Sequence, residues 1–487
     1  MTIILAGHSY RYGVEQMLFT LFPGERPKVG DPDAPLPDQY IRSALTKEHG
    51  QFCAVTELRY QGQTFAGQAE VPIPDGTDPL AHTREGQKAV KLAFYRAALE
   101  LLPKPRWGAL TGVRPVKLAT RILKCGGDWA AAKANLMEDF DVDEQEATLA
   151  ATCADYAYKA DTDLAPQDVA LYVGIPFCPT RCAYCSFVSA AVGRNAQLLV
   201  PYLDALHQEL TALGQSLKRQ GAVVRSVYIG GGTPTTLDAS QLAVLLTQIC
   251  ASIDLTACDE FTLEAGRPDT ITAEKLALLA DFPVTRISVN PQTMHENTLR
   301  AIGRSHTVEQ TRTAFALVEA HAPKLLVNAD LIMGLPGEDA AMFRQSLDEV
   351  IALAPANITV HTLAIKRSAD LTAHSASRET LETMYAYSLK VLQEHGYSSY
   401  YLYRQKDMGG SFANIGWTKP GGESLYNLCM MEELCTTAAA GATGISKIVN
   451  RCSGKISRLN NPKYATEYVT RMAHTIEEKE AAQWLTN

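Results

Sequence analysis

From about residue 170 onward the chain alternates short β-branched runs with helical patterns. That rhythm limits the fold more than any other feature of its 487 residues. The runs fall at 171–175, 223–229, 261–264, 284–289, 325–332 and 358–363, and helical periodicity lies between them at 197–219, 240–252, 273–280, 308–320 and 341–353. Strands separated by helices of this length pair in parallel through right-handed crossovers, because a tight turn cannot return a chain to the same end of a sheet. Six such units predict an α/β fold, an open, partial (β/α)6 barrel rather than a closed eight-stranded one. In this architecture function sits beyond the carboxyl ends of the strands, so the residues just after each run carry the most information.

The flanks read differently. Residues 1–165 are expected to form an N-terminal α+β domain, with strand-like alternation at 52–60 and 64–71, a helical stretch at 87–102, and a second helix starting near Pro115. The barrel core is expected over 166–375, and a mostly helical C-terminal region over 376–487. Apolar residues make up 46% of the chain and charged residues 20%, enough to build a core and to exclude wholesale disorder. A formal charge of −8 argues against nonspecific binding to nucleic acid. No apolar run is long enough for stable membrane insertion, and the N-terminus lacks the basic region and cleavage site of a secretory signal. A cytoplasmic location is the resulting expectation.

Of the 11 cysteines, Cys178, Cys182 and Cys185 fall within eight residues, in the segment YVGIPFCPTRCAYCSF that follows the first strand. Three thiolates on one tight loop suit an iron–sulfur cluster or zinc. Zinc sites usually close with a second, distant pair, and none is evident, so the odd third ligand favours a cluster with one open iron. Later strand ends add chemistry. Gly230-Gly231-Gly232-Thr233-Pro234-Thr235 follows the second run, and glycines there let backbone approach a ligand closely. Glu264 ends the third run; Arg286, Ser288, Asn290 and Gln292 lie along and after the fourth; and Asp330 lies inside the apolar fifth, VNADLIMGLPG, where a carboxylate needs a partner.

The cysteine loop, the GGGTPT turn and the GLPG strand resemble the radical S-adenosylmethionine superfamily. Within it they resemble the oxygen-independent coproporphyrinogen III oxidase (coproporphyrinogen dehydrogenase) branch, with an N-terminal region and a YYLYRQKDMGG segment like its HemZ-type variant. The likeness runs by motif from about Asp168 to Arg367. It implies that Cys178, Cys182 and Cys185 bind a 4Fe–4S cluster and that Tyr172 contacts the methionine sulfonium of S-adenosyl-L-methionine. Tyr184 and Phe187 would pack around cluster and cofactor. Gly231, Gly232 and Thr233 would receive the cofactor's amino group, with Glu264 also bound to it. Gln292 and Arg304 would hold ribose and carboxylate, and Asp330 would lie on the ribose side. The cysteines and Tyr172 are the residues implied in catalysis.

The resemblance further implies an anaerobic oxidoreductase of porphyrin and haem biosynthesis. Its substrate would be coproporphyrinogen III, a tetrapyrrole, two of whose propionates become vinyls to give protoporphyrinogen IX, and its partner a low-potential electron donor such as flavodoxin or ferredoxin. Three departures bear on the substrate: Phe187 stands where the dehydrogenases proper carry a further cysteine, Gly174 where they usually have histidine, and the long N-terminal region replaces their short arm. A radical-SAM-type haem chaperone without oxidase activity, a haem ring-opening methyltransferase and a zinc-bearing structural module are the alternatives. Lys366, Arg367, Arg404, Lys406 and Lys419 are candidates for substrate carboxylates, and Tyr397, Tyr400, Tyr401 and Tyr403 for a macrocycle face; surface charge and core aromatics are the bland alternative for each.

Overall fold

A computed structural model describes residues 1–74, 76, 79–185, 187–364, 376–404 and 412–486. It divides into two compact units, Met1–Ala151 with Arg404–Phe412, and Thr152–Tyr403 with Ala413–Asn487.

In the smaller unit five strands form one sheet in the order Lys28–Val29, Thr2–Ala6, Tyr40–Glu48, Gln51–Tyr60, Gln63–Pro72. Thr2–Ala6 runs parallel to both neighbours and the remaining pairs are antiparallel. Alternation along Gln51–Tyr60 buries Phe52, Ala54 and Leu58 against Ala89, Val90, Ala93, Phe94 and Ala97 of the helix Pro79–Leu99. The approach is close: a Cβ on Gly67 would fall 2.3 Å from the Ala93 carbonyl oxygen. This is the expected α+β region. Its parallel strand Thr2–Ala6 was not legible beforehand.

Among the described residues the larger unit holds an open sheet of eleven strands. In chain order they are β1 (Asp168–Ile175), β2 (Val223–Gly231), β3 (Glu260–Glu264), β4 (Arg286–Ser288), β5 (Leu326–Met333), β6 (Asn357–Thr362), β7 (Ser398–Arg404), β8 (Ala413–Thr418), β9 (Thr436–Ala440), β10 (Ile445–Val449) and β11 (Ile456–Asn460). Their spatial order is β7-β8-β6-β5-β4-β3-β2-β1-β9-β10-β11. Strands β1 to β6 are parallel and coincide with the six runs read from sequence. The crossover helices start where their caps dictate. Asp238 and Gln241 form a capping box for Ala239–Ser252, Thr307 and Gln310 do so for Val308–His321, and Asp339 caps Ala340–Ala352.

The C-terminal region adds strands as well as helices. β8 pairs antiparallel with β6, and β9 adds a seventh parallel strand beside β1. β9 reads TTAAA, a composition without the β-branched apolar signature of the other runs, and only its neighbours make it a strand. No described helix is long and apolar enough to cross a membrane.

Candidate functional site

β1 delivers the cysteine loop to the carboxyl end of the sheet. The loop docks on the segment after the helix Glu296–Ala301. The Ala183 amide donates to the Ile302 carbonyl at 2.9 Å, and the Thr180 hydroxyl to the Gly303 carbonyl at 3.2 Å. Gly303 has φ +74°, and a Cβ there would press on the Arg181 carbonyl at 3.2 Å. The loop also closes on itself, Cys185 N–H to Cys182 carbonyl at 3.1 Å. All three cysteines are partly buried, and the Thr233 hydroxyl donates to Cys178 Sγ at 3.6 Å. Burial pushes the Cys178 and Cys185 thiols up. Among the described residues no three His, Cys, Asp or Glu groups close on a single ion position; a cubane instead takes each thiolate on a different iron.

The turn after β2 lies against this loop as a cradle that only glycine permits. A Cβ on Gly232 would sit 2.5 Å from the Phe177 carbonyl oxygen, and one on Gly230 2.6 Å from a Glu264 carboxylate oxygen. Gly231, at φ +112°, donates its N–H to that same carboxylate oxygen at 3.2 Å. The Tyr172 hydroxyl stands over Gly231, and its ring continues through Tyr228 to Tyr426 as a stack with centroid spacings of 6.4 and 4.6 Å. Glu264 is pushed up to about 8, by burial first and then by the neighbouring Asp330 carboxylate. The Gly231 N–H, the Tyr228 hydroxyl and the Arg304 cation pull the other way without offsetting that burial.

Gln292 adopts φ +67° and is inserted into the sheet edge, its N–H donating to the Asp330 carbonyl at 2.9 Å and its carbonyl accepting from the Ile332 N–H at 3.0 Å. Arg304 is buried and donates to the Asn290 and Gly266 carbonyls at 2.5 and 3.2 Å. Burial works against its cation, and the adjacent Tyr184 and Cys182 hold its pKa up. Tyr184 packs on Ile302, Ile332 and Leu335. Asp330 faces His361 at 3.7 Å, and His361 faces the Tyr403 hydroxyl at 3.3 Å. Among the described residues, Gln292 Oε1, Asn290 Oδ1 and Arg304 Nε are buried without a hydrogen-bonding partner. Buried polar atoms left open around a glycine cradle and a buried acid fit a polar, amine- and hydroxyl-bearing ligand.

The structure thus brings together the three cysteines, Tyr172, Tyr184, Gly231, Gly232, Thr233, Glu264, Gln292, Arg304 and Asp330. Phe187 differs: it is 68% exposed, because the chain has left the loop's packed part by that point. Arg286 begins β4 and lies at the amino ends of the strands, away from this site. Gly174 has a structural reason of its own, since a Cβ there would fall 2.8 Å from the Ala442 carbonyl oxygen; the backbone after β9 fills the space a side chain would take. Sequence reasoning missed Arg267, three residues past Glu264 and only 2% exposed, whose guanidinium reaches the cysteine loop. A charged residue so close to a strand end was the available signal.

The substrate-carboxylate candidates fare less well. Lys366, Arg367 and Lys406 lie outside the described residues. Arg404 is buried, donating to the Leu110 and Gly112 carbonyls and lying 5.3 Å over the Trp107 ring, and Lys419 covers the Tyr397 ring at 5.2 Å. Tyr397, Tyr400 and Tyr401 are buried, with hydroxyls engaged by the Pro355 carbonyl, Asn427 and Thr359. These are core aromatics.

The family model of the radical SAM superfamily matches residues 172–350. Over 419 residues the chain is 40% identical to the oxygen-independent coproporphyrinogen-III oxidase-like protein HemZ of Bacillus subtilis, covering 83% of this chain and 82% of that protein. It is 32% identical to the heme chaperone HemW of Lactococcus lactis, covering 56% of this chain and 68% of that one. The solved coproporphyrinogen III oxidase (HemN) of Escherichia coli shares the fold at TM-score 0.50 and 22% identity, over 65% of this chain and 72% of that one. With its cysteine loop, glycine cradle and strand-end acids gathered at one end of the sheet, the chain belongs to the radical SAM superfamily, in the HemZ-type branch of oxygen-independent coproporphyrinogen III oxidase-like proteins.

Proposed function

We propose that the protein is an oxygen-independent coproporphyrinogen III dehydrogenase, converting two propionates to vinyls with loss of carbon dioxide; for each propionate one S-adenosylmethionine would be consumed in removing a hydrogen atom, and an electron acceptor would take the remaining electron. The observation that carries this reading is the reach of the likeness to the oxidase-like relative. It covers 83% of the chain and so includes the parts outside the matched radical SAM segment. Superfamily membership implies S-adenosyl-L-methionine and a 4Fe–4S cluster, which together supply a 5′-deoxyadenosyl radical when bound and reduced.

In this reading Cys178, Cys182 and Cys185 are the cluster ligands. Glu264 and the Gly231–Thr233 backbone would receive the amino group of the cofactor's methionine moiety, and the Arg304 guanidinium would bind its carboxylate. Gln292 and Asp330 would accept from the ribose hydroxyls. Tyr172, whose hydroxyl stands over Gly231, would contact the sulfonium, and Tyr184 with its apolar neighbours would exclude water, so that the chain's contribution is placement. Residues 376–487 form the substrate side, and a flavodoxin or ferredoxin delivers the electron.

A haem chaperone is the second reading, favoured by Phe187 in place of a further cysteine and by the likeness to the heme chaperone. Anaerobic protein with cofactor and dithionite, offered coproporphyrinogen III or haem, separates the two. Vinyl product with carbon dioxide is the expected result. Tight stoichiometric haem binding without turnover would replace it with the chaperone, and a methylated linear tetrapyrrole with ring opening.

A further inference from the structure

Arg267 follows β3 on the loop Ala265–Arg267 and turns its guanidinium into the cysteine loop. One nitrogen donates to the Thr180 hydroxyl at 3.1 Å and lies 3.4 Å from the Thr180 carbonyl and 4.0 Å from Cys182 Sγ. Another donates to the Ser305 hydroxyl and faces Asp269 at 3.4 Å, and Nε lies 3.3 Å from the other Asp269 oxygen. Ser305 in turn donates to Asp269 at 2.7 Å. The cation therefore stands between a thiol of the C-x3-C loop and one carboxylate, with almost no water to screen it. His306, next to Ser305, adds no charge: burial, then Arg304 and Arg267, push it down to about 3.

We infer that Arg267 is a positioning residue that holds the C-x3-C loop through Thr180 and, with Asp269 as its counterweight, sets the reduction potential of the cluster bound there. A fixed positive charge beside a cluster sulfur favours the reduced, more negative cluster, and the net local charge and hydrogen bonds to sulfur are what proteins vary to move such potentials. Arg267 alone would raise the potential, and Asp269 offsets part of that effect. The inference rests on the cysteines carrying a cluster, as proposed above, and is independent of which tetrapyrrole is the substrate.

The test is a potential, not a rate. The full chain is reconstituted anaerobically, iron and sulfide are quantified, and the cluster is titrated by electron paramagnetic resonance without S-adenosylmethionine. Arg267→Gln should lower the midpoint enough to change the oxidised-to-reduced ratio about tenfold at fixed potential, which for one electron is about 59 mV. Arg267→Lys should fall between it and the wild type. Asp269→Asn should move the midpoint the other way. A merely structural role does not predict shifts of opposite sign from one ion pair. If Arg267→Gln does not retain its cluster, the upward shift in Asp269→Asn decides alone. Unchanged midpoints in the loaded variants, or shifts of the same sign, overturn the inference. A wild-type protein without iron and sulfide overturns the cluster reading itself.

Discussion

Glu264 is the side chain whose chemistry the site defines most sharply. Burial and Asp330 hold it protonated up to about pH 8, although an N–H donor placed against it would prefer the carboxylate. Binding of S-adenosylmethionine should therefore expel this proton below pH 8. Affinity should rise with pH by up to roughly tenfold per unit and level off above about 8. The cofactor's own amine titrates as well, so the diagnostic is the difference from Glu264→Gln, which should bind more weakly and lack one proton's share of the slope. Equilibrium dialysis on the reconstituted protein from pH 6.5 to 9 measures both profiles, and parallel slopes would remove Glu264 from the contact. At this scale the sequence was legible at some strand ends and not at others. Glu264, Gln292 and Asp330 were found because parallel strands end together. Arg267 and His306 were not, since they become buried only when separate loops close over the cysteines, and no periodicity records that.

The strands themselves were readable because buried parallel strands carry continuous β-branched runs, and all six runs became β1 to β6. β9 escaped because its two threonines are polar and its three alanines small, leaving no β-branched apolar run, and Arg286 misled because a charge in a strand says nothing about which end of the sheet it occupies. It lies at the amino end, pairing with Glu260 at 3.4 Å and donating to Asn328, Asn357 and the Gly422 and Glu423 carbonyls. Glu260 meanwhile accepts from the Ser424 hydroxyl and the Leu425 N–H at the start of the helix Leu425–Glu432, where a carboxylate is favoured. One buried ion pair thus joins β3, β4, β5 and β6 to a C-terminal helix. Arg286→Ala removes the cation paired with buried Glu260, leaving it the Ser424 hydroxyl and helix N–H donors, and should cost about 3–5 kcal/mol. Urea unfolding followed by circular dichroism reads this directly. A loss below about 1 kcal/mol would mean that backbone pairing alone sets the order of these strands.

Over the larger unit as a whole, the end of the chain supports its functional end. Glu209, fully buried on the helix Val192–Arg219, accepts from the Gly441 N–H at 2.7 Å, the Asn461 amide at 2.8 Å and the Tyr468 hydroxyl. Its counter-charge is Lys479, buried 3.5 Å away on the helix Met472–Ala481 and also donating to the Ala439 carbonyl of β9. This cluster fixes the turn after β9, whose Ala442 N–H binds the Tyr202 hydroxyl that itself donates to the Gly174 carbonyl, four residues before Cys178. A charge near the C-terminus is thereby linked to the strand that presents the cysteines, through an ion pair, the adjacent amides of this turn and the Tyr202 hydroxyl. Lys479→Met should cost about 3–5 kcal/mol by leaving Glu209 buried and unpaired, and should lower the iron retained after reconstitution. Adding Glu209→Gln removes the orphaned charge, so the double variant should regain part of both losses, a coupling that a double-mutant cycle measures by chemical denaturation and iron analysis. If the double variant were the sum of the singles, the pair would not act as a unit. If stability fell while iron retention stayed at the wild-type level, the tail would brace the sheet without reaching the cysteine loop.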